Sequence, residues 1–184
     1  MHFLLVMFFL GADGGVVDAG VSKPVVVDAA PKAVELKLDV DEVVFHAKTP
    51  IAGIDGTTKK MTAKREGETV RFTVPLDGVD TGIGLRNTHM KKYLAADQFP
   101  NVELVVSGAL LKAGTGQKGK GTFTVKGVSK EVELTYDVKK VPSGFAVQAK
   151  FAIDITAHGV EVPAYARVTV KKDVAIETSF VVLE

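Results

Sequence analysis

From Val34 to the C-terminus, apolar and polar residues take turns. In "AVELKLDV", Val34, Leu36, Leu38 and Val40 share one face, and Glu35, Lys37 and Asp39 share the other. "TVRFTV" repeats the pattern with Val70, Phe72 and Val74, and "NVELVVSG" with Val102, Leu104 and Val106. "GTFTVKG" sets Phe123 and Val125 on one side, and "KEVELTYDV" does so with Val132, Leu134, Tyr136 and Val138. The longest run, "GFAVQAKFAIDI", alternates from Phe145 through Val147, Ala149, Phe151 and Ile153 to Ile155. The tail "DVAIETSFVVL" carries Val174, Ile176, Phe180 and Val182.

A period of two with one dry face predicts antiparallel strands. Turn residues punctuate the runs at Gly67, Asp77-Gly78, Gly114 to Gly121, Lys126-Gly127 and Pro142-Ser143-Gly144. The prediction is an all-β domain of about eight short strands, either a sandwich or a closed barrel. Alternation does not separate the two, because both bury one face per strand. One segment breaks the rule. "LRNTHMKKYLAAD" lacks β-branched runs and repeats Leu85, His89, Tyr93 and Arg86, Met90, Leu94 at helical spacing, so a short helix is expected over residues 85–95.

The first residues follow neither period. Phe3 to Leu10 is an apolar run too short to span a bilayer, and Val17-Asp18-Ala19 offers a small-x-small cleavage site. Residues 1–19 are expected to be an export signal, although no Lys or Arg precedes the apolar run; the competing reading is a first buried strand. Residues 20–33 are expected to be a flexible lead-in, leaving 34–184 as one domain and placing the protein in the periplasm or outside the cell.

Composition narrows the chemistry. The 184 residues carry 23 Lys plus Arg against 22 Asp plus Glu, so no strong field draws nucleic acid. There is no cysteine, which excludes thiol catalysis, disulfides and Cys-based metal sites. "GTGQKGKG" (114–121) nearly spells a phosphate loop, but Gly121 replaces the metal-binding Ser or Thr and a strand pattern follows; a mobile hairpin tip is expected there. His46, His89 and His158 stand apart with no metal-ligand spacing, so no metal and no cofactor are expected. Asp77, Asp80 and His89 are the acid–base candidates, and aspartates beside a glycine turn are commonly loop and cap residues.

"VDTGIGLRNTHMKKYLAADQFPNVEL" resembles the signature of the YceI family through Thr81, Gly82, Arg86, His89, Leu94, Phe99 and Pro100. "GKGTFTVKGVSKEVEL" is similar to the family's strand–turn–strand hairpin at Gly121, Lys126, Gly127, Val128 and Lys130, and "FAIDITAHGVEVP" to its late strand and following loop. The resemblance implies a lipocalin-like antiparallel barrel, usually exported and without enzymatic activity. Its lumen would hold an isoprenoid or similarly long lipid. Asn87 stands where the family usually has Asp, which removes a carboxylate partner for Arg86.

Alternation then selects Phe72, Val74, Leu104, Val106, Phe123, Val125, Leu134, Tyr136, Phe145, Val147, Phe151 and Ile153 as candidate lumen residues. In a sandwich the same set would face a sheet–sheet core. Arg86 and His89 are candidates for a polar rim or a structural clasp. The expected partner is a long-chain lipid, with transient membrane contact for its exchange. The rival readings are a hydrolase using His89 with Asp80 or Asp77, and a solid-cored interaction module with no ligand.

Overall fold

Among the described residues, twelve strands follow one another with one α-helix among them: β1 (Val34–Leu36), β2 (Leu38–Lys48), β3 (Gly53–Thr58), β4 (Thr62–Glu66), β5 (Thr69–Pro75), α1 (Gly84–Tyr93), β6 (Asn101–Ser107), β7 (Gly114–Val125), β8 (Val128–Val141), β9 (Gly144–Asp154), β10 (Ala164–Tyr165), β11 (Val168–Thr169) and β12 (Asp173–Leu183). The computed structural model describes residues 33–162, 164–165 and 168–183, all in the unit Pro31–Glu184. The expected export signal (1–19) and residues 20–32 of the expected lead-in lie outside the described residues.

Ten strands make one antiparallel sheet in the order β1-β4-β5-β6-β7-β8-β9-β12-β2-β3, and β10 with β11 forms a separate ribbon. The sheet curls around a common apolar interior. Its two borders meet through the chain itself: β1 pairs with β4 (Leu36↔Ala63), β2 pairs with β12 (Leu38↔Val182), and only Lys37 separates β1 from β2. Beyond β2, β3 is tied to the segment after β5 by a reciprocal bridge, Thr57 N–H to Asp80 O at 2.8 Å and Asp80 N–H to Thr57 O at 2.9 Å. This is the lipocalin-like barrel expected of the resemblance, with two more strands in the sheet than the alternation suggests. The seven alternating runs, one of them broken at Lys37, supply eight strands, and the short β3 and β4 are the other two.

The alternation shifts phase once, between Val40 and Val43. A bulge explains it: Ser179 pairs with Glu42 but Phe180 with Val40, which leaves Asp41 unpaired. The extra residue lets Val40 and Val43 both turn inward.

Residues 114–121 are not the hairpin tip predicted from their glycines. They form the first two-thirds of β7 and pair with β8, Gly119 opposite Leu134 and Gly121 opposite Val132. A Cβ on Gly119 would stand 2.9 Å from Leu110 Cδ1, and one on Gly121 would stand 2.9 Å from Val106 Cγ1. These glycines answer a packing demand inside the sheet rather than a turn.

α1 replaces the expected 85–95 helix almost residue for residue. It ends in a Schellman arrangement, with Ala96 N–H on Lys91 O at 2.9 Å and Ala95 N–H on Lys92 O at 3.1 Å. The helix buries no residue fully; Met90, Tyr93 and, at its C-cap, Leu94 rest against the core.

Candidate ligand-binding cavity

The strand register stacks inward side chains in levels. At one level Tyr136, Ala149, Thr178 and Val43 stand side by side across β8, β9, β12 and β2. On the α1 side of it come Phe151, Ile176 and Phe45, and on the far side Val138, Val147 and Phe180. These levels border a cavity of about 80 Å³. Phe72 packs against Phe180 at 5.3 Å between centroids and Phe123 against Phe151 at 5.1 Å. Leu110 and Leu111, from a 3-10 turn at Gly108–Leu111, also line the cavity. Among the described residues nothing charged lines it, and its only hydroxyls belong to Tyr136 and Thr178.

Of the residues selected by alternation, Phe72, Val74, Leu104, Val106, Phe123, Leu134, Tyr136, Val147 and Phe151 are in the cavity wall. Val125, Phe145 and Ile153 are not. Val125 and Ile153 lie in the solid core near the α1 end of the barrel, with Leu76, Val79, Ile155 and Val160, where the interior is filled. Phe145 opens β9 at the opposite end, half-buried beneath the Lys140 ammonium 4.4 Å from its ring. Alternation places a side chain inside; it does not say how far along the barrel the interior stays hollow. Sequence reasoning passed over Ala149 and Thr178, which share the period but are small or polar. It also passed over Leu110 and Leu111, whose turn has no period at all.

Arg86 and His89 sit on α1 and do not line the cavity. Arg86 donates to Thr81 O at 3.3 Å, a loop contact. The polar network around them centres on Asn87. Its Oδ1 accepts from Thr81 N at 2.8 Å and from Thr81 Oγ1 at 2.6 Å, while its Nδ2 donates to Asp80 Oδ1 at 2.8 Å. Asp80 also accepts from Gly82 N at 2.9 Å. The Asn87 amide, then the Gly82 N–H, hold the Asp80 carboxyl below the usual carboxylate range. The other two histidines singled out in the sequence have structural partners. His158, 1% exposed, is bonded through Nδ1 to Val128 O at 2.8 Å with its ring edge against Phe123, and His46 meets Asp55 at 2.8 Å. No group of three His, Asp or Glu among the described residues is placed to hold a metal ion. A polar cleft of about 300 Å³, bordered by Asp39, Asp41, Lys59, Asp137 and Lys139, mixes both signs of charge and presents no focused chemistry.

The sequence matches the YceI-like domain family over residues 39–182. No curated protein matches it. Among solved structures it is similar to a polyisoprenoid-binding domain from Saccharophagus degradans implicated in plant cell wall breakdown, with a TM-score of 0.64 at 14% identity, covering 81% of this chain and 99% of that one. It is also similar to BcnA of Burkholderia cenocepacia, with a TM-score of 0.64 at 20% identity, covering 78% and 99%. At these identities the likeness extends to the fold.

Proposed function

The chain belongs to the YceI-like domain family, and from that membership we propose that it binds a long-chain isoprenoid lipid in its barrel lumen and catalyses no reaction on it. The observation that carries this reading is the composition of the cavity wall: apolar but for the hydroxyls of Tyr136 and Thr178, with no charged side chain among the described residues. The polyisoprenoid-binding domain of similar fold supports the choice of lipid.

Magnitudes fit a lumen that holds its ligand by area. A five-carbon isoprene unit, fully buried, contributes at most ~4 kcal/mol. Association costs ~4–15 kcal/mol in lost freedom, so several units are needed for useful affinity. A cavity of roughly 150 Å³ takes one benzene-sized guest, so the present 80 Å³ demands that wall side chains move aside for a chain. Leu110 and Leu111 are the natural ones to do so, since they belong to a short 3-10 turn and to no strand.

The hydrolase alternative, His89 with Asp80 or Asp77, is weakened at Asp80. Asp80 is committed to Asn87 and Gly82, and a carboxyl held low is a weak proton acceptor. For the cellular setting, the apolar run Phe3–Leu10 followed by small residues supports export to the bacterial envelope. The mass of protein recovered from the periplasm would reveal removal of the first 19 residues.

Organic extraction of freshly purified protein, followed by mass spectrometry, should release an isoprenoid lipid. Ala149→Leu, whose added carbons project into the cavity, should lower uptake of an isoprenoid quinone at least about tenfold while the strand signal in circular dichroism stays intact. An empty extract together with undiminished uptake by the Leu variant would leave the solid-cored module as the better description.

A further inference from the structure

Thr178 faces inward from β12 between Ile176 and Phe180, both buried, and its strand neighbours are Ala149 and Val43. Its Oγ1 is buried and makes no hydrogen bond. A valine would fill the same volume without leaving a hydroxyl unpaired in an apolar wall, and buried polar groups ordinarily have partners. The levels on either side are wholly apolar: Phe151, Ile176 and Phe45 on one, Val138, Val147 and Phe180 on the other. Room exists at this level. Ala149 offers only a methyl group, and the Tyr136 ring leans over Gly119, its Cε1 lying 3.2 Å from where a glycine Cβ would stand, on the strand away from Ala149.

We propose that Thr178 donates a hydrogen bond to an uncharged carbonyl oxygen of the bound lipid, so that the lipid's head lodges inside the barrel over Ala149. This deepens the lumen-binding reading and rests on it. The chemistry selects the head. An ionised group such as a diphosphate would lose its hydration in a wall with no cation to compensate. A pure hydrocarbon would leave the hydroxyl unpaired. A neutral carbonyl, as on an isoprenoid quinone, satisfies it.

The test compares three probes on the full chain by native mass spectrometry and equilibrium dialysis: a short-chain isoprenoid benzoquinone, a hydrocarbon of the same chain length, and the matching prenyl diphosphate. The native protein should hold the quinone about tenfold more tightly than the hydrocarbon, the ratio one hydrogen bond supplies. Thr178→Val should erase that preference, whereas Thr178→Ser should keep it. The infrared carbonyl stretch of bound quinone should shift to lower frequency in the native protein and return in the Val variant. The proposal is overturned if Thr178→Val retains the preference, if it weakens both neutral probes equally, or if the diphosphate binds as tightly as the quinone. If none of the three binds, the lumen reading itself falls and this inference goes with it.

Discussion

Asn87 shows how a departure from a family pattern finds its reason in one neighbour. The amide meets a carboxylate, Asp80, on one side and two Thr81 donors on the other, a combination that needs a donor and an acceptor on the same side chain. An aspartate here would keep the Thr81 bonds and set two negative oxygens against each other. Asn87→Asp should therefore lower Tm at pH 7. The deficit should shrink as pH falls toward the carboxylate range, for two reasons of the same sign. Like-charge repulsion raises the pair's first pKa, so protonation relieves the variant. Meanwhile the native Asp80, whose folded pKa is lowered, contributes stability above its unfolded value and loses it as pH falls. Thermal melts of both proteins from pH 7 to pH 4 check this, and a gap that widens on acidification would refute it. None of the geometry was legible in the sequence. Asn87 reads there as a lost Arg86 partner, because spacing along the chain says nothing of which donor a loop folds toward.

Elements were more legible than their ends. α1 follows from its period, but its stop rests on Ala95, which adopts φ 50° in the Schellman turn without being a glycine. Left-handed backbone costs an L-residue roughly 1 kcal/mol that glycine avoids. Ala95→Gly should accordingly stabilise the domain by about 0.5–1 kcal/mol in denaturant titration, and a loss of stability would show that the turn is not strained. The β7–β8 hairpin obeys its sequence more closely. Lys126 and Gly127 have φ of 51° and 73°, the two left-handed residues of a tight turn, and the Phe99 ring packs where a Cβ on Gly127 would have to go. The same residue type misled at Gly119 and Gly121. Glycine marks a turn when its dihedrals are needed and a crowded strand when its missing side chain is, and the letters alone do not separate those demands.

At the scale of the whole molecule, alternation supplied the curled sheet's dry face, yet its hollow part was fixed by three-dimensional register. Val125 and Ile153 share the period of Phe123 and Phe151 and sit where the interior is solid. The way the borders of the sheet meet, through a single lysine between two strands, carries a mechanical corollary. β1 contributes only three pairs to the ladder with β4, so the barrel has a zipper whose short teeth can part while every longer ladder stays closed. Backbone amides of Val34–Leu36 should exchange with deuterium sooner than those of β8 and β9. Because the chain is free of cysteine, a Glu35→Cys, Lys64→Cys pair, set at directly opposed register positions, makes a clean lock. Oxidising it should slow the release of a bound lipid, and reduction should restore it; release at an unchanged rate would mean that cargo leaves by another door.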